Sequence, residues 1–116
     1  MSSPRPGREP GPAELGVVLA AIADATRRQL LAALASAGSA TATELAGGLP
    51  VTRQAVAKHL AVLKGAGLVT SERHGRDVRF AVQTGGLTKI AGWLEQLVAE
   101  WDTRLAAIKQ IAEARD

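Results

Sequence analysis

Two threonine caps, Thr41 and Thr52, stand on either side of Gly47-Gly48-Leu49-Pro50, and this constrains the fold more than any other stretch of the chain. A threonine followed three residues later by glutamate, as at Thr41 and Glu44, makes a capping box. The hydroxyl accepts from the third helical amide, and the carboxylate returns to the cap's own amide. A helix therefore starts after Thr41. It cannot run far past Ala46, because two glycines and a proline follow and neither residue type sustains a helix. Thr52 then caps a second helix over 53–64. The expected unit is helix, tight glycine turn, helix, in which the first helix buttresses the second and the second turns its amino-terminal side chains outward.

The second helix reads RQAVAKHLAVLK. Val56, Leu60 and Leu63 recur at the spacing that stacks side chains on one face, while Arg53, Gln54 and Lys58 occupy the other. No acidic residue appears between Val51 and Ser71, whereas an ordinary solvated helix mixes both signs. The net charge of the chain is only +3, but it is unevenly spread: residues 53–79 carry six basic and two acidic side chains, a net of +4, and residues 1–52 carry four of each. A polyanion selects such a segment, because each neutralised phosphate releases counterions. A charge cluster alone is more often a solvated surface; its placement on a helix-turn-helix unit lifts the nucleic-acid reading above that one.

Around this unit the chain is mainly α with a small β-hairpin. Residues 1–12 hold four of the five prolines and nothing to bury, so a disordered leader is expected there, followed by one domain over 13–116. Leu15, Val18, Leu19 and Ile22 fall on one face of a first helix. Asp24 caps a second that runs to Gly38. After Gly65 and Gly67 the period changes. Residues 68–73 and 78–82 are β-prone, and a glycine-containing connection of hairpin length joins them. The hairpin carries Arg73, His74, Arg76 and Arg79. Beyond Gly85 and Gly86 comes the longest helix, with an apolar stripe through Leu94, Leu97, Trp101, Leu105 and Ile108. That stripe is longer than the face of so small a core can cover, so the same helix of a second copy is its expected partner, giving a two-fold dimer.

Other classes find little support. The apolar fraction of 47% excludes a disordered chain, and no apolar run approaches the roughly 18 residues of a membrane span. There is no cysteine, hence no disulfide or thiolate site, and no signal-peptide pattern, so a cytoplasmic location is expected. Enzyme motifs are missing: no glycine-rich phosphate loop, no nucleophile elbow, and no histidine with a recognisable Ser partner. Glu100 and Asp102 fall on different sides of their helix, about 200° apart. The more serious rival is a winged-helix module for protein contacts, which predicts an apolar or acidic recognition face.

The order LAAIADATRRQLLAALA, then TATELAGGLPVTRQAVAKHLAVLKGAGLV, then the basic hairpin, resembles the ArsR family of winged helix-turn-helix transcriptional repressors over residues 15–108. The run from Val51 to Val69 carries the match most specifically, with Thr52, Ala-Val at 55–56, His-Leu at 59–60, Leu63 and Ala-Gly-Leu-Val at 66–69. Asp24-Ala-Thr-Arg27 is similar to the family's Asp-Pro-Thr-Arg helix start, with Ala25 in place of proline. The resemblance implies a homodimer built from the terminal helices, through Leu15, Val18, Leu19, Leu94, Leu97, Trp101, Leu105 and Ile108, with both recognition helices presented to successive major grooves of double-stranded operator DNA. Metal-sensing members place cysteines after a Glu-Leu pair, or histidine and carboxylate ligands on the last helix; here Glu44-Leu45 leads into Ala46-Gly47-Gly48 and the last helix has no histidine. Neither a metal nor another cofactor is expected. Whether a small apolar inducer sits between the terminal helices is left open.

Individual roles follow. Thr52 and the first amides of the recognition helix suit a phosphate. Arg53 and Gln54 are the base-reading candidates, arginine for guanine O6 and N7 and glutamine for adenine N6 and N7. Ala57 stands where the family commonly has serine on the DNA-facing side. Lys58 and Lys64 suit phosphates. His59, next to buried Leu60, is expected at the border of core and groove, with a structural hydrogen bond weighed ahead of a base contact. Arg73, Arg76 and Arg79 of the hairpin suit flanking phosphates or minor groove, while His74 is expected to be solvated. Arg27 and Arg28 could touch phosphate, with pairing to nearby acids weighed at least as high.

Overall fold

The computed structural model describes residues 11–114. They fall into two compact units, one over 11–87 and the other from Thr88 on. In the first unit, α1 (Pro12–Ile22) and α2 (Ala25–Ala37) precede a two-residue strand β1 (Ala40–Thr41), then α3 (Ala42–Gly47), α4 (Arg53–Gly65) and the strands β2 (Val69–His74) and β3 (Asp77–Val82). The expected leader lies outside the described residues except at its end, where helix begins at Pro12. Proline suits the first helical position because its missing N–H has no partner there in any case.

The caps behave as their chemistry dictates. Asp24 Oδ1 accepts from the Arg27 amide at 3.0 Å, and Gly38 ends α2 with φ at 82°, open to glycine at little cost. The capping box closes in both directions: the Glu44 amide donates to Thr41 Oγ1 at 3.1 Å, and the Thr41 amide donates to Glu44 Oε1 at 2.9 Å. Thr52 Oγ1 accepts from the Ala55 amide at 3.1 Å, opening α4.

The three strands form an antiparallel sheet in the order β1-β3-β2. In the hairpin, Val69 pairs with Val82 and His74 with Asp77, leaving Gly75-Arg76 as a two-residue loop. Gly75 has φ at 63°, which puts glycine at the first position, as a type II′ turn requires. Ala40 pairs with Phe80 and Thr41 with Arg79. This short strand was not expected from the sequence. Its two residues show no alternation, and it exists only because β3 offers it a free edge.

All four helices of this unit feed one core. Leu30 and Leu34 of α2 and Val56, Leu60 and Leu63 of α4 are fully buried, joined by Leu45 of α3, by Leu68 and Val69, and by Val18 and Ala21 of α1. Each buried leucine contributes about 1.5–3 kcal/mol of apolar transfer. Val18 thereby departs from the expected dimer face. At 2% exposure it is core of its own protomer, with its Cγ2 3.8 Å from where a Cβ on Gly86 would stand.

The second unit is the bulk of α5 (Gly85–Ala114). It begins on the glycines expected to precede it. Its 30 residues extend about 45 Å at 1.5 Å each. Ile90 is its buried residue; Leu94, Leu97, Val98, Trp101, Leu105, Ile108 and Ile111 are 37–62% exposed. The Arg104 guanidinium lies over the Trp101 ring, 5.7 Å from its centroid.

Candidate nucleic-acid interface

The acid-free helix α4 presents its polar side as the sequence predicts. Arg53, Gln54, Ala57, Lys58, Ala61 and Lys64 are exposed, while Val56, Leu60 and Leu63 are buried. Ahead of its first intrahelical bond, from the Val56 amide to the Thr52 carbonyl at 3.0 Å, the amides of Arg53 and Gln54 point out of the helix end. With the helix dipole they favour an anion. Thr52 Oγ1 is spent on its cap as an acceptor, but its hydrogen stays free to donate.

The basic side chains divide sharply into tied and free. Arg79, a wing candidate, is half-buried. Its Nε donates to Ser39 Oγ at 3.1 Å, Nη2 to the Ser39 carbonyl at 3.1 Å, and Nη1 to Glu44 Oε1 at 3.2 Å. It fastens β3 to the chain between α2 and α3. Lys64 Nζ donates to Ser71 Oγ at 2.7 Å, tying the end of α4 to β2. Arg53 Nε donates to Thr43 Oγ1 at 3.0 Å, which leaves its two terminal nitrogens as an oriented fork. Gln54, Lys58, Arg73 and Arg76 are exposed and make no protein hydrogen bond or ion pair among the described residues. Between α3, the start of α4 and the wing lies a cleft lined by Thr43, Glu44, Arg53, Ala57, Arg76 and Arg79 among others.

His59 is half-buried, with Nδ1 3.3 Å from Arg27 Nη1. It sits about 140° around the helix from Gln54 at 100° per residue. The structural hydrogen bond weighed ahead of a base contact is the one present: arginine has only donors, so Nδ1 accepts, and the ring joins α4 to α2. Arg27 also donates through Nε to the Ala21 carbonyl at 2.6 Å and through Nη2 to the Ala20 carbonyl at 3.1 Å, while Arg28 Nη1 donates to the Ile22 and Ala23 carbonyls at 2.7 and 2.9 Å. Among the described residues these arginines bond to backbone carbonyls and not to a carboxylate. They satisfy the orphan carbonyls at the end of α1, where the helix dipole favours a cation. No sequence signal distinguished the two uses, since the partners are backbone atoms.

Two carboxylates are held below their ordinary range, Asp24 chiefly by the Arg27 amide and Glu44 chiefly by the Thr41 amide, with Arg79 adding to the second. On the wing, His74 Nε2 lies 3.4 Å from Glu72 Oε2, both well exposed. Among the described residues no three His, Asp or Glu side chains come together as a metal would need, and no helix is long and apolar enough to cross a membrane.

A helix pair joined by a tight turn, followed by a two-stranded wing whose third strand returns from before the pair, defines a winged helix-turn-helix protein. Residues 22–72 match the family model described as a helix-turn-helix domain. An ArsR-like transcriptional regulator from Rhodococcus sp. RHA1 superimposes with a TM-score of 0.82 at 50% identity, covering 88% of this chain and 93% of that one. The HTH-type transcriptional regulator CmtR of Mycobacterium tuberculosis is 41% identical over 96 residues, 83% of this chain and 78% of the relative. A homodimeric winged helix-turn-helix DNA-binding domain from Mycobacterium bovis, a possible ArsR-family regulator, aligns with a TM-score of 0.60 at 26% identity over 76% of this chain and 80% of its own. The chain belongs to the ArsR family of winged helix-turn-helix transcriptional regulators. These relatives are regulators, not enzymes.

Proposed function

We propose that the protein is a homodimeric, cytoplasmic DNA-binding repressor that sets α4 into the major groove of each half of a palindromic operator and lays the β2–β3 wing along the flanking backbone. The observation that carries this is the exposed side of α4: no acid, and Gln54 and Lys58 projecting without a protein partner. A helix face that spends nothing on its own fold is available to a base edge and a phosphate. Arg53, its terminal fork aimed by Thr43, and Gln54 read bases. The amide end of α4 with Thr52 and Lys58 hold phosphates of the same half-site. Arg73 and Arg76 reach the flanking phosphates, while Arg79 and Lys64 act as positioning residues that keep wing and helix in register.

The exposed apolar stripe of α5 supports the dimer, since contiguous apolar surface of this length marks an association site. The mycobacterial domain described as homodimeric supports it too. Two-fold symmetry places equal half-sites about 34 Å apart, one turn of DNA, and a dimer bound over a promoter represses by excluding polymerase. Fragments selected from a random DNA pool, followed by mobility shifts with heparin competition, test the whole reading. An inverted repeat that survives heparin is expected. Binding to a single asymmetric half-site counts against the dimer, and no double-stranded ligand at low ionic strength rejects the function.

A further inference from the structure

We infer that Ala57 and Ala61 read thymine methyl groups, so that the half-site selected by α4 is centred on A·T pairs. This rests on the proposed DNA-binding role and narrows it to a class of sequence. At 100° per residue, Ala57, Ala61, Gln54 and Lys58 follow one another around an arc of about 100°, and all four are exposed. Half of this face is therefore bare methyl. Alanine has no bulk to hold the helix away from the duplex, so the methyls reach the floor of the groove when Gln54 reaches a base edge.

The four base pairs meet such a surface differently. Guanine offers two acceptors in the major groove and cytosine a donor; thymine alone offers a methyl group, beside its O4. An alanine methyl pressed against a G·C edge expels water from groups it cannot satisfy, which is unfavourable. Against thymine it buries one apolar group on another. Gln54 points the same way, since its amide pairs with N6 and N7 of adenine, whose partner strand carries the thymine. Arg53, held by Thr43 about 100° from Gln54 on the helix, is left to mark a flanking guanine.

Replacing thymine by uracil removes this methyl and nothing else, without touching the protein. With the full-length chain and its selected fragment, one such replacement opposite Ala57 or Ala61 in both half-sites is expected to weaken binding about fifteenfold, about fourfold per methyl. Ala57→Ser, at an exposed position whose folding is checked by thermal melting, is expected to abolish the uracil penalty at its own base and relax the preference there. Selected half-sites with G·C at these positions, or a uracil series without effect on a fragment that still binds selectively, overturn the inference and leave the DNA-binding role standing. Failure to select any fragment overturns both.

Discussion

Arg79 and Arg76 lie three residues apart on one hairpin with the same charge, and they should fail in opposite ways when changed to alanine. Arg79 donates three hydrogen bonds, two to Ser39 and one to Glu44. Bonds from a charged donor contribute about 1.5–3 kcal/mol when desolvated, but Glu44 is exposed, so its ion pair adds little. The two bonds to Ser39, half-buried, leave a net loss of roughly 2 kcal/mol on Arg79→Ala. With a urea m-value of about 1.5 kcal/mol/M, the unfolding midpoint falls by about 1.3 M. Arg76→Ala, at an exposed turn with no partner, should stay within about 0.5 kcal/mol of the parent. DNA binding reverses the order of effects. Arg76→Ala weakens all sequences alike and lowers the slope of log K against log salt by about one per wing engaged, whereas Arg79→Ala leaves the slope unchanged. Urea titration and fluorescence anisotropy on the two variants read both quantities. A salt slope that drops for Arg79→Ala with an unmoved midpoint would show that Arg79 serves the DNA and not the sheet.

Leu60→Ala should cost about 2–5 kcal/mol in chemical denaturation, because a fully buried leucine at the centre of α4 leaves a cavity that its neighbours fill only in part. Leu105→Glu should convert the proposed dimer to monomer in sedimentation with an unchanged circular dichroism spectrum, since Leu105 is 56% exposed in the protomer; a dimer that persists would move the interface away from α5. In acid, Asp24 and Glu44 have folded pKa values depressed from their ordinary 3.8 and 4.5. Their contribution is therefore present above those values and lost as pH falls through the lower folded ones. Below about pH 4.5 the Asp24→Asn/Glu44→Gln double variant should lose less stability than the parent, and parallel acid transitions would contradict the assignment.

How much of this was legible in the sequence depended on whether the partner atoms were local. Caps at Asp24, Thr41 and Thr52 were readable because donor and acceptor lie within three residues, and the buried face of α4 because its period is that of the helix. The wing was readable from its glycine and its β-branched residues. β1 was not, since two residues carry no period and the strand exists only by pairing with Phe80 and Arg79. Nor was the burial of Val18, because an apolar stripe on α1 does not say which of its members turn into the protomer's own core. The site was legible as a face and not as a set of contacts. Gln54, Lys58, Arg73 and Arg76 bond to none of the described side chains, but Arg79, Lys64, Arg27 and His59 find their partners 6 to 40 residues away, where spacing carries no information.

This division has a consequence for binding that counting charges gets wrong. From the sequence, the six basic residues of 53–79 in each of two subunits would neutralise twelve phosphates, for a slope near −11 at about −0.9 per phosphate. If Arg79 and Lys64 keep their protein partners when DNA binds, four remain per subunit, Arg53, Lys58, Arg73 and Arg76, and the limit falls to about −7. Of these, Arg53 is assigned to a base and not a phosphate, which brings the expectation nearer −5 if it contributes no counterion release. Arg79 and Lys64 each tie the wing or α4 to a neighbour, which leaves the other charges less freedom to lose on meeting DNA. A measured slope near −11 would mean that those ties open when DNA binds, and that Arg79 and Lys64 exchange Ser39, Glu44 and Ser71 for phosphate.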